Sequence, residues 1–299
     1  MSCTRLLVLA LAALGALASA PRPAAAEQVI HSEKSLYRQI IVYEDEGLRC
    51  MRFTRQAGGR QSCIDLAQPR RIVFPYVKMM LAALYLAPQP RRVLVIGVGG
   101  GTLIGALQRL LPDAQVDAVE IDPAVVRVAR DYFGFVPSRH VAVGEEDGRV
   151  FVKRALRAGR RYDLVMLDAF DHEYIPEHLL TREFLEEVKG VMAGDGVLAA
   201  NTFSSSRLYD HESATYRAVF GPYFNLKRAN RVVLLRKGGL PDAATLARNA
   251  AALRAPLAVL GMDAEEWLPA FSTAVDWRTD ARVLTDAYSP SNLLNAMPR

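Results

Sequence analysis

The sequence predicts an α/β protein: a doubly wound sheet, with a small antiparallel β-sheet ahead of it and a helical extension behind. Three observations carry this expectation. From Arg91 the chain alternates short apolar runs with helical patterns, the order of a mostly parallel sheet covered by helices on both faces. Within that region RRVLVIGVGGGTLIGALQRLLPDAQVDAVEIDP, Arg91 to Pro123, joins a β-branched run to a glycine cluster, a helix and a second strand ending in acids. Ahead of it, Leu36–Tyr43, Leu48–Thr54 and Gln61–Leu66 alternate in short runs. Turn residues separate them at Asp45-Glu46-Gly47 and Gly58-Gly59.

The first 26 residues stand apart from this plan. A single positive charge precedes an almost wholly apolar run, Leu6–Ala18, and small residues lead to Ala24-Ala25-Ala26 before Glu27. That is the pattern of a secretory signal with an A-x-A cleavage site. The expected address is exported, in the periplasm. An uncleaved N-terminal membrane anchor is the alternative, although the apolar run is short for a span. The expected organisation is a signal over 1–26, a small β-sheet unit over 27–70, a ligand-binding domain over 71–238 and an extension over 239–299.

The whole chain has 299 residues, 51% of them hydrophobic, enough for one full α/β core with additions. Without Arg5 and Arg22 of the signal, 35 basic residues face 32 acidic ones, so the formal charge falls from +5 to +3. So small an excess argues against nucleic acid as a partner. Cys3 leaves with the signal. Cys50 and Cys63 remain, in runs expected to be neighbouring strands. An oxidising compartment permits a disulfide there, and two buried free thiols are the alternative.

Each remaining element follows in order. Residues 73–87 carry a helical apolar pattern (Val73, Val77, Met80, Leu81, Leu84) that stops before Pro88. Strands are expected at 92–96, 115–121, 139–143, 162–167 and 195–201, with Arg231–Arg236 closing the sheet antiparallel. After Gly238-Gly239 an alanine-rich stretch, Pro241–Leu260, reads as helix. Ligands of such sheets sit outside the carboxyl ends of the strands, where Glu120, Asp122, Asp147, Asp168 and Asp171 line up.

The glycine cluster selects the ligand class. A dinucleotide site needs G-x-G-x-x-G, whose turn and helix N-terminus cradle a pyrophosphate. Here Gly97, Gly99 and Gly101 spell G-x-G-x-G and Thr102 stands where the third glycine would be. This is the form found in enzymes that bind S-adenosylmethionine and its relatives, which have no phosphate to hold. The expected fold is therefore Rossmann-like, of the class I methyltransferase type. Gly97, Gly99 and Gly101 would approach the ligand, and Glu120 or Asp122 would take two ribose hydroxyls. A dinucleotide, or a turn that binds nothing, are the alternatives.

Tyr162–Asp168 is a buried strand ending on a carboxylate, followed three residues later by Asp171. Beside a sulfonium, such a pair can hold a cationic amine and remove its proton as nitrogen attacks the carbon next to sulfur. The alternative is that Asp168 only caps a turn while Asp171 is solvated. His172 and His178 near Asp171 have poor metal spacing, so no metal is expected. Ser204–Ser206 lack the G-x-S-x-G elbow of a serine nucleophile.

Several motifs together resemble one family. VLVIGVGGGTL, VEIDPAVV, EDGRVF at Glu146–Phe151 and YDLVMLDAFDHEYIPEHLLTREF are similar to the spermidine synthase (polyamine aminopropyltransferase) family, in its bacterial spermidine synthase-like branch. The resemblance runs from about Ser35 to Phe224, and VLTDAYSPSNLL (Val283–Leu294) is similar to that branch's end. It implies aminopropyl transfer from decarboxylated S-adenosylmethionine to an amine, releasing methylthioadenosine, in a protein that is often a homodimer. It also implies residue roles. Glu120 would bind ribose; Asp147, Gly148 and Pro176 would line the adenine pocket. Asp168 would accept the proton, Asp171 would grip the amine and Tyr76 would lie by the polyamine channel.

The chain departs from the family pattern at three places. The family's GGGDG acid is Thr102, its Y-H-E-M reads Tyr76-Val77-Lys78-Met79, and an expected glutamine on the first strand is Arg38. These fall on the amine half of the expected site and leave the acceptor open. The rival readings are a methyltransferase using intact S-adenosylmethionine and a non-catalytic exported binder of nucleosides or polyamines.

Overall fold

A computed structural model describes residues 27–55, 58–169, 176–202, 205–228 and 230–298. The expected leader, Asp171 and His172 lie outside these residues. The first sheet is antiparallel, in the order β1 (Gln28–Lys34), β2 (Gln39–Asp45), β3 (Leu48–Arg52), β4 (Arg60–Asp65). The strand β1 is one more than the alternation predicted. It is an exposed edge whose QVIHSEK carries charge and little apolar signal. Leu36 and Tyr37, expected in a strand, instead form the tip of the β1–β2 turn. There the Ser35 hydroxyl accepts the Tyr37 and Arg38 amides at 3.0 Å each. This side-chain turn replaces the ladder locally.

Cys50 and Cys63 face each other across β3 and β4 and form a disulfide. It lies in a small core with Ile41 and Tyr43, against Val73 and Phe74 from the next segment. The other face of the sheet places Ile40, Val42 and Met51 on the helix over Pro123–Phe133.

The larger sheet has seven strands in the order β10-β11-β9-β8-β5-β6-β7. Its elements alternate as expected: α1 (Pro75–Leu81), β5 (Arg92–Ile96), α2 (Thr102–Leu110), β6 (Gln115–Glu120), α3 (Pro123–Phe133), β7 (Val141–Glu145) and α4 (Gly148–Arg157). Then come β8 (Tyr162–Leu167), α5 (Arg182–Val191), β9 (Met192–Thr202), α6 (Leu208–Phe220), β10 (Phe224–Lys227) and β11 (Arg231–Arg236). The five central strands are parallel and β11 runs antiparallel to β9, as expected of Arg231–Arg236. But β11 does not close the sheet: β10, a strand not expected from the sequence, pairs antiparallel with it and forms the edge. The chain order reverses at β5, which lies between β6 and β8. This is the switch point where such sheets open a crevice. The strands are apolar on both sides because both are covered. Val93, Val95 and Leu164 face one core, with α1, α2 and the C-terminal extension, and Leu94, Ile96 and Val165 face another, with α4, α5 and α6.

The C-terminal extension departs from the expected single helix. It begins with α7 (Ala243–Ala252), breaks at Leu253 and resumes as α8 (Arg254–Ala258). Pro256 explains the break, since its ring has no N–H and clashes with the carbonyl four residues back. Residues 271–290 then run as an irregular strap over the protein before α9 (Ser291–Asn295). Among the described residues no helix is long and apolar enough to cross a membrane.

The disulfide closes a loop between residues 13 apart and pins the β3–β4 pair. Its removal in Cys50→Ser/Cys63→Ser is expected to cost roughly 2–4 kcal/mol, seen as a lower midpoint in chemical denaturation. An unchanged midpoint would show that strand packing alone holds this sheet.

Candidate active site

The crevice at the end of β5 is a cavity of ≈ 250 Å³. Its floor is the turn after β5. Gly97 has φ +99°, and a Cβ there would lie 2.6 Å from the carbonyl carbon of Asp168, so only hydrogen fits. The same closeness lets the Asp168 amide donate to the Ile96 carbonyl at 2.7 Å, fixing Asp168 at the rim. Gly99 also lines the cavity. Gly101 does not, contrary to expectation. It starts α2 with φ +76° and lies under Phe135, whose Cγ a Cβ would meet at 2.7 Å.

Glu120 ends β6 and lines the cavity. Its two carboxylate oxygens accept the Val98 amide at 3.1 Å and the Asp122 amide at 3.2 Å. Burial pushes its pKa up, while these amides and the Arg38 charge pull it back. A carboxylate fixed this way beside a glycine turn suits a pair of vicinal hydroxyls. Asp122, the other expected ribose ligand, is turned away and buried. Its Oδ1 caps α3 through the Ala124 amide at 3.0 Å, and its Oδ2 accepts the Ser35 hydroxyl at 2.5 Å. An acid followed by Pro123 is a helix-cap signature, and the cap wins here.

At the far end of the cavity stand Asp147, Gly148, Pro176, His178 and Leu179. Asp147 Oδ1 accepts the Arg149 and Val150 amides at 3.0 Å each, capping α4. Its Oδ2 pairs with His178 Nε2 at 2.7 Å. The wall between is apolar, from Ile96, Val119, Ile121 and Leu179. Polar tips on an apolar slot suit the edge and faces of a planar base.

Asp168 faces this end of the cavity from across the glycine turn. Its Oδ1 accepts Asn201 Nδ2 from β9 at 3.0 Å, and the Tyr76 hydroxyl from α1 also donates to it. Burial pushes its pKa up to about 7; these two donors oppose that rise and the Glu120 charge adds to it. Tyr76 is raised well above its ordinary range by burial and then by the Asp168 charge, so it stays a donor. A carboxylate near neutrality beside an open cavity can accept a proton at working pH.

Sequence reasoning missed part of this site. Asn201 reaches Asp168 only because β9 lies beside β8, which no local pattern reports. Phe53, Gln61 and Ser62 come from the small sheet, and Phe74 precedes α1. Arg38 lies 4.3 Å over the Phe53 ring, within the field of Glu120. Thr102 and Val77 line the cavity, and the Thr102 hydroxyl is buried without a hydrogen-bond partner among the described residues. Lys78, expected in or near the channel, is drawn away. Its amine donates to the Gly261 carbonyl at 2.6 Å and is absent from the cavity wall.

Fold and site together define an α/β protein of the methyltransferase type, with a cavity at the switch point of its sheet and a buried carboxylate, Asp168, whose pKa is pushed up to about 7. The comparisons narrow this class. Residues 74–235 match the spermine/spermidine synthase domain, and the chain belongs to that family. It is 47% identical over 272 residues to a polyamine aminopropyltransferase of Vibrio vulnificus (strain CMCP6), covering 89% of this chain and 91% of that one. Among solved structures it is similar to a probable spermidine synthase from Corynebacterium glutamicum ATCC 13032, with a TM-score of 0.63 at 21% identity. That match covers 84% of this chain and 96% of the other. Human methyltransferase-like protein 13 in complex with SAH matches with a TM-score of 0.54 at 25% identity, over 74% of this chain and all of that one. The last two likenesses speak for the fold.

The raised Asp168 pKa has a cost in stability. Between pH 3.8 and about 7 the folded protein keeps a proton here that the unfolded chain has lost. Stability contributed by this group therefore falls as pH rises through that window, and the full cost persists above it. Asp168→Asn removes the cost. It is expected to raise Tm by at least roughly 2–4 °C near pH 8, the shift about 1 kcal/mol makes in a domain of this size. The gain should shrink toward pH 4; a Tm difference independent of pH would mean that Asp168 is not held near neutrality.

Proposed function

We propose that this chain is a polyamine aminopropyltransferase that uses decarboxylated S-adenosylmethionine and an amine acceptor. The observation that carries the reading is one cavity holding a ribose-competent carboxylate, Glu120, and a near-neutral one, Asp168, with an apolar slot between Asp147 and Pro176. The adenosine would lie along Gly97 and Gly99, its sugar on Glu120 and its base between Ile121, Gly148 and Leu179. The sulfonium would then face Asp168 and Tyr76.

In this mechanism the acceptor nitrogen, as a neutral amine, attacks the propyl carbon bonded to sulfur. The C–N bond forms as the C–S bond breaks, and the pair from that bond returns to sulfur, leaving neutral methylthioadenosine. Asp168 takes the proton released by nitrogen, while Tyr76 and Asn201 hold its carboxylate in place. The thioether leaves without acid help, so the protein's share is positioning and deprotonation. The acids Glu120, Glu146, Asp147 and Asp168 make the cavity suited to a cationic ligand. Asp171 would complete the amine grip.

One observation favours a second reading. Thr102 and Arg38 replace expected acid and amide groups on the cavity wall, so a carboxylate-bearing donor, intact S-adenosylmethionine, would meet less repulsion. Calorimetry separates the two. Methylthioadenosine binding at least tenfold tighter than S-adenosylhomocysteine supports aminopropyl transfer, and the reverse order supports methyl transfer. For the first reading, Asp168→Asn is expected to lower kcat by about 10²–10⁴-fold, the usual worth of a positioned base. Methylthioadenosine affinity should change less than about threefold, within roughly 0.7 kcal/mol. Parallel loss of both would assign Asp168 to binding.

We further propose that the protein is exported after removal of residues 1–26. The Cys50–Cys63 disulfide supports this, because such bonds persist in oxidising compartments. N-terminal sequencing of protein purified from cells should begin at Glu27; a start at Met1 would argue for a retained anchor or no export.

A further inference from the structure

The strap at the C-terminal end has no place in the mechanism above, yet it grips the wall of the cavity from outside. The cavity receives Pro176, His178 and Leu179 from one short turn. That turn is held on its outer side by residues of the strap and of α9 just after it, more than a hundred positions away. Ser289 Oγ donates to the Glu177 carbonyl at 3.1 Å, and the Asn292 amide and side chain both donate to Glu177 Oε1 at 3.2 Å. The Arg182 amide donates to the Leu284 carbonyl at 2.8 Å, closing the turn's exit.

A single arginine joins this strap to the opposite side of the slot. Arg149 follows Asp147 and Gly148 directly, so its backbone is part of the α4 start that lines the cavity. Its nearly buried guanidinium makes two bonds to Glu187 of α5, at 2.9 Å each, and two to Asp286 of the strap, at 2.7 and 2.8 Å. A further N–H reaches the His178 carbonyl at 3.4 Å. Asp286 also accepts the Thr181 hydroxyl at 2.8 Å, and its amide donates to Glu183 at 2.9 Å. Bidentate pairing fixes orientation as well as distance. The two sides of the base slot, Asp147-Gly148 and Pro176–Leu179, are thus tied to one another through Arg149 and Asp286.

We propose that Asp286 is a positioning residue for the nucleoside end of the site: with Arg149 it sets the width of the slot between Gly148 and Leu179. The amine end stands on Tyr76, Asp168 and Asn201, which come from α1, the end of β8 and β9. Loosening the strap should therefore weaken recognition of the nucleoside and spare that of the amine. The inference rests on the adenosine placement proposed above.

Two variants test it in the full chain. Asp286→Asn breaks the charged fork, and Ser289→Ala/Asn292→Ala removes the two side-chain bonds to Glu177 without altering charge. Each is expected to raise the Kd for methylthioadenosine and the donor KM about tenfold, or 1.4 kcal/mol, with the acceptor KM moving less than about twofold. Amide exchange at residues 177–181 of the ligand-free protein should quicken about tenfold. Asp286→Glu, which keeps the charge, should recover part of the donor affinity. A lower Tm with donor KM unchanged would make the strap merely structural and overturn the proposal. So would equal losses for donor and acceptor, or unchanged exchange at 177–181. Should the wild-type protein bind no methylthioadenosine, the adenosine reading fails, and the exchange measurement alone still decides whether the strap holds the turn.

Discussion

The site depends on a close approach that only glycine allows. The turn after β5 must pass so near the end of β8 that the Asp168 backbone occupies the space of any side chain at position 97. That approach brings three strand ends together: Gly97 and Gly99 from β5, Glu120 from β6 and Asp168 from β8. A Cβ there would push β8 outward and separate Glu120 from Asp168. The switch in strand order at β5 supplies the crevice, and the glycine makes it narrow enough to act on a small ligand.

The same convergence creates an electrostatic tension. Burial raises the cost of ionising both Glu120 and Asp168, and the Glu120 charge adds to it at Asp168. The protein answers unequally. Glu120 receives two backbone amides and the nearby Arg38 charge, whereas Asp168 receives one amide side chain and one phenol. Asp168 is thereby left near neutrality, fit to gain and lose a proton, and a cationic ligand would relieve both groups. Binding such a ligand would recover this expense, a common trade at functional sites.

The remaining walls come from outside the large sheet. The small antiparallel sheet, stapled by Cys50–Cys63, sets Ser62 on the glycine turn, where its hydroxyl accepts the Gly100 amide at 2.8 Å. It is held there by the Ser35–Asp122 bond and by Arg49, which donates to the Tyr132 carbonyl at 2.9 Å. At the other end the strap supports the turn from Pro176. The cavity is thus a fixed core crevice completed by two peripheral pieces, each tied down by polar contacts to it.

The linear order of residues was enough for the sheet, the glycine turn, and the acids at the strand ends, because period, turn chemistry and strand-terminal charge are local properties. It also marked Gly97, Gly99, Glu120, Asp147, Gly148, Asp168, Pro176 and Tyr76, all of which line the cavity. Folding in three dimensions decided the rest. Whether an acid meets the ligand or caps a helix, as Asp122 does, turns on which way its strand end rotates. Whether Lys78 enters the channel or binds Gly261 turns on a segment far along the chain. The partners of Asp168 and the hold of Asp286 on Arg149 likewise join residues distant in sequence. Such pairings are set by strand neighbours and surface packing, which no window of neighbouring residues encodes.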